Sequence, residues 1–186
     1  MIWTSGLALL IGGTLYSSAW ILFALLGRDP AGPWWLPLNL LVVAGSIGIA
    51  LGLPGFHAYQ GEKTGLVGLL GVIMLFVGIL IAGVARQAVE AYTLPHLDKV
   101  PPEAQLLVMI ASPLLFFGIV ITGAVTWHAG IYPSWTGVVL IIAALAGLIA
   151  VLVVMPPWLR AGTTVLYSGT LAYLGFVLVM SQAQGQ

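Results

Sequence analysis

Six long apolar runs make up most of this chain, and the breaks between them collect nearly all of its charge. The runs cover about 2–26, 36–53, 65–92, 106–127, 136–155 and 163–180. Each is close to the roughly 20 residues that a helix, rising 1.5 Å per residue, needs to cross a hydrocarbon core about 30 Å thick. Inside that core the backbone N–H and C=O groups find no water, so such a run can satisfy them only as a helix. The runs therefore predict an all-α fold, a polytopic membrane helix bundle of about six transmembrane helices, with residues 1–186 as a single transmembrane domain.

Composition points the same way. Of the 186 residues 61% are hydrophobic and only 5% are Asp, Glu, Lys or Arg, with a mean hydropathy of +1.13. A water-soluble domain carries about 25% charged residues, so a surface this poor in charge calls for lipid. The formal net charge is zero, and so few basic side chains cannot track a phosphate backbone, so nucleic acid is not an expected partner. With no cysteine, disulfides, thiolate metal sites, iron–sulfur clusters and cysteine nucleophiles are excluded. The first run has no basic leader and no small-residue cleavage site, and it reads as a retained first helix rather than a signal peptide.

The breaks are rich in Gly and Pro: Gly27-Arg28-Asp29-Pro30, Pro54-Gly55, a long hydrophilic segment from Thr93 to Gln105 that includes Asp98, Tyr132-Pro133 and Pro156-Pro157. Trp34, Trp35, Trp127, Trp135 and Trp158 lie at run ends, where amphipathic rings settle at a membrane interface. Arg28, Arg86, Lys99 and Arg160 fall on the side of the odd-numbered loops and Lys63 on the other. The excess of basic residues places the loops near Arg28, Lys99 and Arg160 in the cytoplasm and both termini outside.

The 24 glycines include Gly48 and Gly52, Gly65, Gly68 and Gly71, and the Ala143–Gly147 pair, spaced so that small residues share a helix face and let backbones approach closely. Packing within the bundle is the expected use, with a partner helix as the alternative.

Few side chains remain to carry chemistry. No HExxH, GxSxG or GxxxxGK[ST] pattern occurs, so no catalytic or metal-binding residue is expected, and no cofactor. Thr14, Tyr16, Ser17, Ser18, Tyr167, Ser168 and Tyr173 lie within runs, where hydroxyls bond to the preceding helical turn. Arg86 and Glu90 stand four residues apart on one face, past the apolar part of the third run. Glu90, near a helix C-terminus, meets the unfavourable end of the helix dipole and needs a partner of its own. The pair reads as a polar interfacial contact, a gate or a subunit contact, weighed against an ordinary surface ion pair. Asn39, near the start of the second run, and His57 and His128, at the ends of the second and fourth, are the candidate ligand-binding residues. Two imidazoles from neighbouring helices can hold a haem iron or a chlorophyll magnesium, although histidines beside aromatics at an interface are more often simply hydrated. His96 stands on the other side.

From Gly55 onward, Phe56-His57-Ala58-Tyr59-Gln60, Gly65-Leu66-Val67-Gly68-Leu69-Leu70-Gly71, the Glu90–Pro95–Pro101 segment and Trp127-His128-Ala129-Gly130-Ile131-Tyr132-Pro133 resemble a group of small multi-pass bacterial membrane proteins with no assigned function. The chain departs from the group at His57 and at Ser134, where the group carries arginine. The resemblance implies a six-helix bundle in a bacterial inner membrane and carries no activity with it. The resulting expectation is a non-enzymatic bundle, an accessory or scaffold subunit that binds membrane lipids or a membrane-protein partner, itself included. The alternatives are the substrate-binding membrane component of a small-molecule transporter, and a pigment or haem carrier through His57 and His128.

Overall fold

The computed structural model describes residues 2–97, 99–153 and 155–184; Asp98 and Val154 lie outside them. Every regular element among these residues is helical: α1 (Ile2–Leu26), α2 (Trp35–Gln60), α3 (Gly65–Ile79), α4 (Arg86–Thr93), α5 (Pro102–Ala129), α6 (Ser134–Leu152) and α7 (Pro157–Gln184), with short 3-10 turns at Gly61–Lys63 and Leu94–His96. A π-helical turn, Leu80–Ala85, joins α3 to α4 as one rod. By length and composition α1, α2, the α3–α4 rod, α5 and α7 can each cross a membrane, and α6 is apolar but shorter.

Several boundaries differ from those expected, three of them at prolines. The second helix does not stop at Leu53 but runs through Pro54 to Gln60. Pro54 removes one backbone donor, but Leu53 and Phe56 on either side of it are fully buried, and opening the helix there would leave several buried backbone groups unpaired instead of one. The fourth and sixth expected helices begin earlier, at Pro102 and Pro157. Proline is well suited to a first helical position, since the N–H it lacks would have no partner there.

The helices form a closed circuit in which α1 packs against α2 and α7, α5 against α3 and α6, α6 against α7, and α2 against the α3–α4 rod. Neighbours are antiparallel. Gly12 meets Gly48 and Gly45 meets Tyr16 across α1–α2, and Gly71 meets Ile121 and Thr122 across α3–α5. A methyl on Gly52 would fall 2.6 Å from Leu9 Cβ, and one on Gly118 2.6 Å from the Leu75 nitrogen, so these backbones approach as only glycine allows. Gly48, Gly52, Gly68 and Gly71 are thus consumed in internal packing, whereas Gly147 has open space beside it although Ala143 is buried. Outward-facing positions are strongly apolar, with Leu66, Met109 and Leu152 among the most exposed.

The π turn decides which face of α4 is inside. Buried positions along the rod step by four, from Gly71 to Leu75, Ile79, Gly83 and Gln87. In a plain α-helix each four-residue step drifts by about 40°; the wider turn cancels that drift and keeps Gln87, then Glu90, facing the bundle. Gly83 lies against Ser46 of α2, whose hydroxyl donates to the Val42 carbonyl at 2.7 Å.

Candidate functional site

The densest polar cluster sits where α1, α2 and α4 end on one side of the bundle. Glu90 is its centre, its side chain only 3% exposed. Arg86, one turn earlier, directs two nitrogens at Oε1: Nε donates at 2.9 Å and Nη2 stands at 2.7 Å. Arg28, from the loop between α1 and α2, brings its Nη2 to 3.6 Å from Oε2. Glycine at position 27 takes φ +83°, a left-handed turn that costs other residues strain, and it starts the loop that carries Arg28 back over the end of the bundle.

Aromatic rings hold Arg28 there. Its guanidinium carbon lies 5.1 Å from the ring centroids of Trp20 and Phe23, both from α1, and 5.9 Å from that of Trp35 at the start of α2. Trp35 in turn donates its indole N–H to the Ala91 carbonyl of α4 at 3.2 Å. A cation over aromatic faces gains about 0.5–2 kcal/mol per contact, more as water is removed. Burial pushes the Arg28 guanidinium below its ordinary value; Glu90 opposes this, and Arg86 and Arg160 add to it. Arg28 and Arg86 thus share one carboxylate.

The Trp35–Ala91 bond sets the register of antiparallel α2 and α4, and one turn inward Asn39 and Gln87 occupy the same level. Both are buried. The Asn39 amide nitrogen donates to the Trp35 carbonyl at 2.7 Å, while Asn39 Oδ1, Gln87 Nε2 and Glu90 Oε2 have no hydrogen-bond partner among the described residues. Buried polar atoms are nearly always paired, so three unpaired ones on two facing helices set this region apart.

Among the described residues the opposite end has no charge inside it. Phe56 stacks on Tyr132 at 5.4 Å, Tyr59 leans on the same ring at 5.6 Å, and the Gln60 amide donates to the Thr126 hydroxyl at 2.9 Å, tying α2 to α5. Burial pushes the Tyr132 hydroxyl well above its ordinary value, with Tyr59 adding to the effect. His57 and His128 both belong to this end. His57 is half-buried, its Nδ1 without a hydrogen-bond partner among the described residues, and His128 is exposed. Among the described residues no group of three or more His, Cys, Asp or Glu side chains is placed to hold a metal.

Of the residues singled out in the sequence, Arg86 and Glu90 are thus joined directly, Asn39 lies one turn deeper beside them, and the two histidines stand at the far end. Sequence reasoning missed Arg28 and Gln87. Arg28 registers in the sequence only as a loop charge, although the tryptophans and phenylalanine flanking it are the signal of a cation held on rings. Gln87 becomes an interior residue through the π turn, which no local pattern announces. Thr14 and Ser168 donate to carbonyls one turn back as expected, Leu10 at 2.8 Å and Thr164 at 2.8 Å, whereas Ser17 and Ser168 share a 2.7 Å bond between α1 and α7. Comparison with protein families, with curated proteins and with solved structures finds no match.

Proposed function

We propose that this chain is a six-span integral membrane protein without catalytic activity, an accessory or scaffold subunit whose charged end contacts lipid or a membrane-protein partner. The observation that carries the reading is the division of polarity. The outer surface is apolar, the closest helix contacts use up the glycine faces, and most of the ionised side chains lie at one end, where Arg28 and Arg86 meet Glu90. In this reading the end bearing Arg28, Arg86 and Arg160 faces the cytoplasm of a bacterial cell and the termini face outward. The resemblance noted from Gly55 onward is in keeping with it.

The absence of cysteine makes the topology directly testable. Single-cysteine variants at Ala31 and Lys99 are expected to react with an impermeant maleimide only after the membrane is opened, and one at Lys63 in intact spheroplasts. The reverse pattern overturns the orientation, and release of the chain from membranes by alkaline carbonate overturns the integral reading. Co-migration with a larger complex in mild detergent, or retention of lipid through purification, supports the accessory role; a lone lipid-free chain contradicts it.

A second reading, the substrate-binding part of a transporter, is favoured by one observation: the unpaired buried atoms of Asn39, Gln87 and Glu90 beside a π turn, a helical irregularity frequent at functional sites. A polar small molecule that co-purifies and is lost in Gln87→Leu would support it.

A further inference from the structure

Two contacts fix how α2 lies on the α3–α4 rod. Near the charged end the Trp35 indole N–H reaches the Ala91 carbonyl at 3.2 Å. Deeper in, Gly83 stands so close to Ser46 that a methyl on it would collide with the serine side chain. Between these anchors lie Asn39 on α2 and Gln87 and Glu90 on the rod, all three buried. Asn39 is four residues from Trp35 and seven from Ser46; Gln87 is four from Ala91, and Glu90 is seven from Gly83. Counted from the first anchor Asn39 is level with Gln87, and counted from the second it is level with Glu90. Those two levels differ by about 4.5 Å at the α-helical rise, so the depth of Asn39 falls between them. Seven residues make almost two full turns, which keeps Asn39 on the face of Ser46 and Glu90 on the face of Gly83.

The hydrogen bonding of this seam is one-sided. The Asn39 amide nitrogen donates to the Trp35 carbonyl at 2.7 Å, a bond that only its N–H end can make, so Oδ1 is left as an acceptor. Glu90 Oε2 is a second acceptor; Arg28 Nη2 stands 3.6 Å away, an ion pair too long for a hydrogen bond. Gln87 Nε2 is a donor. None of the three atoms has a hydrogen-bond partner among the described residues, whereas buried polar atoms are nearly always paired. Two acceptors and one donor on facing helices specify what would complete them: a molecule that donates two hydrogens and accepts one. It is also uncharged, since an anion would meet the Glu90 carboxylate and a cation the guanidiniums of Arg28 and Arg86.

We infer that the α2–α4 seam at Asn39, Gln87 and Glu90 binds a small uncharged molecule with two donor hydrogens beside an acceptor oxygen, the chemistry shared by water and a primary carboxamide. The inference rests on the transporter reading and names the ligand class that its polar site would take. Asn39 Oδ1 and Glu90 Oε2 accept the two hydrogens, and Gln87 Nε2 donates to the oxygen. Arg86, bound to Oε1 at 2.7 Å, positions the carboxylate and leaves Oε2 for the ligand. The π turn keeps Gln87 on the inner face, so the irregularity of the rod and the site have one cause.

The test is X-ray hydroxyl-radical footprinting of the full chain in lipid nanodiscs, where a bound water oxidises the side chains beside it even out of reach of bulk solvent. Trp35, buried and bonded to both Asn39 and Ala91, is the reporter, and exposed Trp34 is the control for bulk solvent. Trp35 is expected to be oxidised in the wild type and several-fold less in Gln87→Leu. After rapid mixing with oxygen-18 water, Trp34 should take the heavy label at once and Trp35 only after a delay. That measurement needs no variant, so it decides the matter if Gln87→Leu fails to fold. Acetamide is then titrated: saturable protection of Trp35 assigns the site to a carboxamide, an unchanged label assigns it to water, and either upholds the inference. An unlabelled Trp35, equal labelling in wild type and Gln87→Leu, or a Trp35 label that keeps pace with Trp34 overturns it. So does a Gln87→Leu chain that unfolds at a higher temperature than the wild type, the mark of an amide buried dry. A chain that passes these tests but moves no polar solute in proteoliposomes fails the transporter reading alone. One whose co-purifying solute survives Gln87→Leu keeps that reading and loses this site.

Discussion

The two ends of this bundle solve the same problem with opposite chemistry. At each, the end of α2 must be tied to a neighbouring helix where apolar packing gives out. The Tyr132 end does so with neutral groups, stacked rings and an amide–hydroxyl bond between Gln60 and Thr126. The Glu90 end uses full charges, a carboxylate buried between two guanidiniums and capped by rings from α1 and α2. A neutral contact is tolerant, because losing one partner leaves a dipole unpaired. An ionic one is not, because losing the carboxylate leaves desolvated cations facing each other. Structure held by charge is therefore also structure that responds to charge, and this makes the Glu90 end the more informative one about function.

The largest expected effect follows directly. Glu90→Ala should destabilise the folded chain by about 3–5 kcal/mol, the usual result of stripping one partner from a buried pair, reduced somewhat by the partial exposure of both arginines. The matching change at the other end, Gln60→Ala, should cost about 1–2 kcal/mol, one buried hydrogen bond and an unpaired hydroxyl. Reversible denaturation in detergent measures both, and equal losses would erase the contrast between the ends.

Next in size is Trp35→Phe, which keeps a ring over Arg28 and deletes the donor to Ala91; a loss of about 1 kcal/mol is expected in the same assay. A loss near that of Glu90→Ala would mean that the indole, rather than the ion pair, fixes α2 on α4.

Tyr132→Phe works in the opposite direction. Its hydroxyl is buried with no hydrogen-bond partner among the described residues, so removing it should be neutral or stabilising by up to about 1 kcal/mol. It also predicts a pH signature. The folded chain holds the phenolic proton more tightly than the unfolded chain, whose tyrosine titrates near 10.0. Between that value and the higher folded one the unfolded state binds fewer protons, so stability falls as pH rises past about 10. The phenylalanine variant should lose its share of that slope, and an unchanged slope would show that Tyr132 is ordinary.

The smallest effect is that of salt. The half-exposed arginines should give the Glu90 end a dependence on ionic strength of a few tenths of a kcal/mol, which vanishes in Glu90→Gln. The Tyr132 end should show none, as read by spin labels placed on each side.

Much of this was legible in local pattern. The alternation of apolar runs with Gly/Pro breaks marks the helices, and the four-residue spacing of Arg86 and Glu90 already places them on one face. Other features were legible only in kind. Gly48 and Gly147 look alike in sequence, yet one lies against Gly12 and the other faces open space, because which stripe meets a neighbour depends on how the helices are arranged around the circuit. Pro54 reads as an interruption but lies inside a continuous helix, since the buried Leu53 and Phe56 around it make an open backbone costlier than one missing donor.

The charged site divides along the same line. An all-helical chain with its charge pushed to the ends follows from residue pattern alone, because a backbone in apolar surroundings must bond to itself and ionised groups must stay near water. That Arg28, separated from Glu90 by all of α2 and α3, completes the pair begun by Arg86, and that a π turn rotates Gln87 inward beside it, emerges only when the helices pack. Those outcomes depend on how α1, α2 and α4 meet in space, and the contacts that stabilise them join residues too far apart along the chain for any periodicity to record.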